Sequence, residues 1–283
     1  MSNLAQRLLL FFICVPLIVA AIVFLPMAHH AVVFVIVLLI SAAASLELAS
    51  LFAAKGIEVN RPSFVLAGSL VPLAFFLSTF LPSNAAELAY LVVGLVAFAL
   101  FTPYAFSRKE NLPEALPAVS AMAFALLYPG LFAGFVTLII SRFAFSTEAI
   151  LCFALMVMGN DSLAWLFGVT MGRKRNLVDV SPNKSLAGFI GGFLGSCIVA
   201  LGAKAAFPSA IQQPYWVMLV FGLVVGCSVI IGDLFESAIK RSAGVKDSGS
   251  LVPGRGGFLD SFDSILFSAP VFYAGSLALG LFS

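Results

Sequence analysis

Charged side chains are scarce in this chain. Lys and Arg number 15 and Asp and Glu 13 in 283 residues, or 10%, where a soluble domain carries roughly 25%. No polar run reaches the roughly 50 residues that a separate soluble domain needs, so none is expected. The two histidines, His29 and His30, are neighbours; the loop charges put them on the outer surface, with no ligand role. The four cysteines, Cys14, Cys152, Cys197 and Cys227, stand singly in apolar runs. With no CxxC pair and no zinc-like spacing, they read as buried free thiols. A net charge of +2, with the basic residues spread over short loops, gives nucleic acid no footing.

Apolar residues fill the rest: 61% of the chain is hydrophobic, with mean hydropathy +1.11. Runs near 20 residues mark membrane helices. They fall at Leu8–Pro26, Ala31–Ala53, Ser63–Leu81, Ala85–Phe106, Pro117–Ser141, Ile150–Met171, Ser185–Phe207, Tyr215–Ile239 and Phe258–Phe282. The runs lack the period-2 alternation of barrel strands. The sequence therefore predicts an all-α, polytopic integral membrane protein of about nine transmembrane helices. Five spans fall in residues 1–145 and four in residues 146–283. Arg7 and the following LLLFFICVPLIVAAIVFL resemble a signal peptide, but the run outlasts the roughly 7–15 residues of a signal core; a retained first helix is expected.

Loop charges set the orientation. With the N-terminus in the cytoplasm, 13 of the 15 Lys and Arg residues fall on the cytoplasmic side, and only Arg142 and Lys204 fall outside. The expectation is N-in, C-out.

Polar residues inside the spans are few. Glu47, in SLELASL, reads as a snorkelling or interhelical hydrogen-bonding acid, with a functional role as the alternative. Pro129–Gly130 is expected to bend the fifth span. Asp161, in Gly159-Asn160-Asp161-Ser162, sits mid-span, where a carboxylate needs a wet cavity or a partner. Further on, Arg173, Lys174 and Arg175 read as a positive-inside anchor. Ser181-Pro182-Asn183-Lys184-Ser185 reads as a helix start with a lysine at its mouth, a pattern suited to an anion. Gly188, Gly191, Gly192 and Gly195 allow close helix packing.

Charge gathers in one stretch, Gly232–Ser264, which holds nine of the 28 charged residues. Asp233, Glu236, Ser237 and Lys240 share a helix face by spacing, and so do Asp260, Asp263 and Ser264. If the two helix ends meet, carboxylates converge without His or Cys, an all-oxygen set that suits Mg²⁺ or Mn²⁺. Between them, Val252-Pro253-Gly254-Arg255-Gly256-Gly257 reads as a turn whose N–H groups face a phosphate. Lys240, Arg241, Lys246 and Arg255 are placed to meet further phosphate oxygens. A metal with several phosphates means nucleotide or phosphoryl chemistry; the plain alternative is a charged loop held by its own ion pairs.

The pattern S-x-I-K-R-x4-K-D-S-G-x2-V-P-G-x-G-G-x2-D-x2-D, from Ser237 to Asp263, resembles the signature of the phosphatidate cytidylyltransferases (CDP-diacylglycerol synthases). GNDSLAWLFG and SPNKSLAGFIGG also resemble that family's segments. The resemblance implies an all-helical membrane enzyme, a homodimer, in the cell inner membrane with its active site facing the cytoplasm. It implies the transfer of CMP from CTP to phosphatidic acid, with Mg²⁺ and with room for Mn²⁺ or an added monovalent cation. It implies catalytic roles for Asp233, Asp260, Lys240, Lys246 and Asp247. Asp161, Lys184, Arg241, Gly254, Arg255, Gly256 and Gly257 then bind substrate, and Asp233, Asp260 and Asp263 bind metal.

Three positions depart from that family's pattern. Arg255 stands where it has His within PGHGG. Ser261 stands where it has Arg. Ser185-Leu186-Ala187-Gly188 stands where it has Thr-x-Glu-Gly after the lysine. The first two read as one cation moved across a turn. The other readings to separate are a catalytically silent paralogue, a membrane transporter and a CTP-dependent lipid kinase.

Overall fold

The computed structural model describes residues 3–81 and 87–283, with side chains described for 12–81 and 90–283. Ten α-helices carry the chain: α1 (Asn3–Phe24), α2 (Met27–Ala54), α3 (Arg61–Ser78), α4 (Glu87–Ala105), α5 (Leu112–Ala125), α6 (Phe132–Ser141), α7 (Ser146–Met171), α8 (Leu186–Ala206), α9 (Tyr215–Ser242) and α10 (Phe258–Ala278). Among the described residues there is no β-strand, only one isolated bridge between Val252 and Gly256. The fold is all-helical, as the sequence predicts.

Among the described residues six stretches are long and apolar enough to cross a membrane: Met27–Ala54, Arg61–Ser78, Lys109–Ser141, Ser146–Met171, Leu186–Ala206 and Tyr215–Ser242. Shorter apolar helices, Phe12–Phe24 and Tyr90–Ala105, lie where the first and fourth spans are expected. The side chains of Arg7 and Leu8, and the expected start of the fourth span at Ala85, lie outside the described residues. The expected ninth span is helical as α10. It is not among the six, because Asp260, Asp263, Ser261, Ser264, Ser268 and Ser276 give it a polar character.

The chain forms two units. The first holds residues 1–141 and 242–262; the second holds 142–241 and 263–283.

In the first unit α3 packs against α2, α4, α5 and α6. Asn60 starts α3 by accepting from Ser63 N (3.2 Å), the usual way to satisfy a first-turn donor. Gly68 is a point of close approach: a Cβ there would overlap Ser45 Oγ. The bend expected at Pro129–Gly130 takes the form of a π-helical turn, Leu126–Leu131, between α5 and α6. The Ser41 hydroxyl lies 2.6 Å from the Pro129 carbonyl and 2.7 Å from that of Gly68, so α2 ties the turn to α3. His30 is buried, contrary to its expected surface position, and His29 meets Phe80 edge-on. The cysteines are free; Cys152 and Cys197 are buried and Cys14 and Cys227 exposed, since the latter pair face outward from their helices.

In the second unit the glycines form a seam between α7 and α8. A Cβ on Gly195 would overlap the Gly159 carbonyl, and one on Gly191 would stand 2.5 Å from that of Leu163. Asn160, buried, donates to Ser196 Oγ (3.0 Å) and to the Gly226 carbonyl (3.2 Å), joining α7, α8 and α9. The chain end is fixed as well: Phe145 N donates to the Phe282 carbonyl and Phe282 N to that of Ala210.

Candidate active site

The signature loop of the first unit closes on itself. Val252 N donates to the Gly256 carbonyl, and Arg255 N and Gly256 N both reach the Val252 carbonyl. Gly254 (φ +74°) and Gly256 (φ +108°) occupy left-handed conformations that side chains resist. Asp260, in the first turn of α10, turns back into the loop. Its Oδ2 accepts from Gly257 N (2.7 Å) and Ser248 N (2.8 Å), and the Ser248 hydroxyl lies 3.0 Å away.

A second carboxylate completes the loop. Glu47, buried on α2, accepts from Phe258 N (2.9 Å, Oε1) and Leu259 N (2.9 Å, Oε2), and the Ser248 hydroxyl lies 2.8 Å from Oε2. Those two N–H groups belong to the open first turn of α10, where a carboxylate is favoured. The clamp joins α2 to the segment from Ser248 to Leu259 within the first unit. Gly249 and Gly257 leave room for it: a Cβ on Gly257 would overlap Glu47 Oε2 and Ser248 Oγ, and one on Gly249 would stand 2.6 Å from Glu47 Oε1.

The loop's N–H groups from Arg255 to Leu259 are thus directed to Val252, Asp260 and Glu47. The sequence suggests instead an open nest around Gly254, Gly256 and Gly257. What the glycines supply in the structure is tight turning and space. Lys246, Asp247 and Arg255 project from the loop as exposed side chains.

The second unit gathers acids and lysines. Asp233 on α9 pairs with Lys184, just ahead of α8. Ser185 caps α8 by accepting from Gly188 N (3.1 Å), so the helix start expected at the SPNKS run is present. Lys240 Nζ lies 2.5 Å from Oε2 of the buried Glu236, one turn earlier. Asp263, one turn into α10, is buried. Gly232 allows this, since α10 approaches it closely enough that a Cβ there would stand 2.7 Å from Phe267 Cβ. Asp161 is exposed and Arg241 also points outward.

The profile of the cytidylyltransferase family matches residues 5–278. The chain belongs to the cytidylyltransferase family. It is similar to the phosphatidate cytidylyltransferase of Thermotoga maritima, 33% identical over 213 residues, which cover 74% of this chain and 75% of that one. The enzyme of the same name from Staphylococcus epidermidis is 32% identical over 228 residues, 79% of this chain and 85% of that one. The one from Synechocystis is 45% identical over 127 residues, 44% and 41% of the two chains.

Membership of the cytidylyltransferase family raises the question of a divalent ion, and the donor chemistry can be tested against it. Among the described residues no three His, Cys, Asp or Glu side chains stand close enough to hold a metal on their own. Mg²⁺ does not need three; it is commonly held by one or two carboxylates together with substrate phosphates and water. Asp233 and Asp263 are oxygen donors on adjoining helices, where Gly232 of α9 lies against Ser264 and Phe267 of α10, and that pair fits. Asp260 differs, because its Oδ2 already takes Gly257 N and Ser248 N.

Sequence reasoning treats Glu47 as an interhelical hydrogen-bonding acid or a functional one, and the structure makes it the cap of a helix 211 residues away. Nothing in the spacing signals that partner. The signal that was available is a pair of adjacent glycines, Gly256 and Gly257, standing where α10 would otherwise take a local Ser, Asp or Asn cap. The pairing of Lys184 with Asp233 is equally silent in sequence.

Proposed function

We propose that this chain is a phosphatidate cytidylyltransferase of the cell inner membrane: CTP and phosphatidic acid give CDP-diacylglycerol and pyrophosphate for phospholipid biosynthesis. The observation that carries the reading is the Ser237–Asp263 run, whose Val252–Gly256 turn closes on itself and whose Lys246, Asp247 and Arg255 are exposed, in a chain that matches its family from residue 5 to 278. The chain takes about nine membrane crossings, N-in and C-out, so that the signature faces cytosolic CTP, and it works as a homodimer. Loop charge supports that orientation.

In the reaction a phosphatidate oxygen bonds to the α-phosphorus of CTP and the bond to the bridging oxygen breaks, releasing pyrophosphate. The nucleophile is a phosphate monoester with a second pKa of about 6, largely ionised at neutral pH. A general base is therefore not the main requirement. Repulsion between two polyanions is the obstacle, and cationic side chains and alignment relieve it. Arg255, which cannot exchange a proton at neutral pH, suits this role as a fixed charge. Lys246 and Arg255 hold CTP phosphates, with Arg241 and Lys240 as further cations. Lys184 steadies Asp233 and offers a charge to the lipid phosphate, and Asp161 and Asp247 orient substrate groups. Asp233 and Asp263 would hold Mg²⁺ or Mn²⁺; that ion, when bound, would supply Lewis-acid charge neutralisation at the phosphates.

The test is purified protein with phosphatidic acid, Mg²⁺ and CTP labelled at its α-phosphate, followed by lipid extraction. Label in the lipid is expected. Transfer of a γ-label alone would make the protein a lipid kinase. No transfer of either label would leave a silent paralogue or a transporter.

A further inference from the structure

We infer that Glu47 is a positioning residue for this reaction, fixing the signature loop in the shape that handles CTP; the inference rests on the cytidylyltransferase reading above. The loop is pinned at two places. Ser248, beside Asp247 and Lys246, lies against both the Glu47 and Asp260 carboxylates. Phe258 N and Leu259 N, which follow the GRGG turn bearing Arg255, end on Glu47. Arg255 therefore stands between the fixed points, and Lys246 lies two residues ahead of the first of them.

A purely structural cap would not need this arrangement. Elsewhere in the chain α3 and α8 are started by local residues, Asn60 and Ser185. At α10 the preceding position is Gly257, which has no side chain to cap with. A buried carboxylate from another helix takes its place, although burying a carboxylate is costly unless it is fully hydrogen-bonded. The three donors within 2.9 Å meet that condition. The result is a loop whose backbone is held by α2, leaving its cationic side chains outward.

Glu47→Gln keeps the shape and removes one acceptor. Its amide nitrogen would face the Leu259 N–H, donor against donor. Two measurements on the full-length protein in detergent decide the inference. Separate KM values for CTP and for phosphatidic acid come first. The KM for CTP should rise about tenfold, the scale of one lost hydrogen bond to a charged group, with the KM for phosphatidic acid unchanged. Amide hydrogen exchange over residues 248–260 should quicken at the same time. Ser41→Ala, which loosens α2 from the π turn, serves as the comparator for stability alone: it should move neither KM. A Glu47→Gln protein that loses turnover with both KM values unchanged, or that exchanges like the parent, overturns the inference. A parent protein that transfers no label from CTP instead overturns the functional reading, and the clamp is then decided by exchange alone.

Discussion

Gly257→Ala adds one methyl group at the point where α2 meets the signature loop. Gly257 is not in a left-handed conformation, so alanine costs nothing there in backbone strain. The demand is for space. The new Cβ would overlap Glu47 Oε2 and Ser248 Oγ and stand 2.6 Å from Glu47 Cδ. Gly257 and Glu47 are both buried, so Glu47 must withdraw from Leu259 N or the loop must lift. Overpacking costs about 1–3 kcal/mol. One lost hydrogen bond to the carboxylate adds about 1.5–3 kcal/mol, giving about 2.5–6 kcal/mol of strain on the loop. Some of it will appear as lower thermal stability and the rest as a poorer KM for CTP. Gly244→Ala is the counterpart: φ is +75° with nothing within 4 Å, so it tests strain without crowding, at about 1–2 kcal/mol. The assay is CMP transfer with thermal unfolding in the same detergent. Glu47→Asp draws the carboxylate back by one methylene, so the double variant with Gly257→Ala should be less impaired than the two single effects added. Strict additivity in that cycle, or a Gly257→Ala enzyme matching the parent, would refute the steric reasoning.

Three further outcomes follow from other contacts. Lys184→Met should reduce turnover at least tenfold while moving thermal stability little, because a partly exposed pair with Asp233 is worth about 1 kcal/mol or less to the fold; a large drop in melting temperature with normal turnover would show the pair to be structural. Asn160→Leu should lower the melting point, since the Gly226 carbonyl and Ser196 hydroxyl lose their shared donor at about 1–3 kcal/mol; unchanged unfolding would count against the buried knot. A reporter fused to the C-terminus should behave as extracytoplasmic, and cytosolic activity there would overturn the N-in, C-out orientation.

The helices were legible because membrane spans announce themselves by length and apolarity: α2, α3, α7, α8 and α9 lie close to their expected runs. The glycine seam was legible too, as small residues three and four apart in Gly188–Gly195. Partner choice was not. Whether Asp233 finds a lysine or another acid depends on how α8 and α9 pack, and no local pattern encodes it. The same holds for Glu47, whose hydroxyl partner Ser248 lies 201 residues along the chain. Local spacing did place Lys240 opposite Glu236 correctly, one turn apart, because an i,i+4 relation is fixed by the helix alone.

The closed loop changes what phosphate recognition must rely on. An open nest would bind through backbone N–H groups, and side-chain substitution would barely affect it. Here the N–H groups from Arg255 to Leu259 end on protein acceptors, so in the proposed reaction the loop's contribution to CTP binding would fall on Lys246 and Arg255. Removing either side chain should then raise the KM for CTP by roughly ten- to a hundredfold, the range for a charged hydrogen bond of about 1.5–3 kcal/mol. Position matters as well as charge. Ser261 is half-buried beside the loop, its hydroxyl donating to the Gly257 carbonyl (3.0 Å). If one cation has been moved across the turn, Ser261→Arg should recover part of the CTP binding lost in Arg255→Ala. Arg255→His should instead bind CTP better at pH 6 than at pH 8, because imidazole with an ordinary pKa near 6.5 carries its charge only at the lower value. An Arg255→Ala enzyme whose KM for CTP equals the parent's would mean that the loop meets CTP through its backbone after all, and that the hydrogen bonds to Glu47 and Asp260 open when the nucleotide arrives.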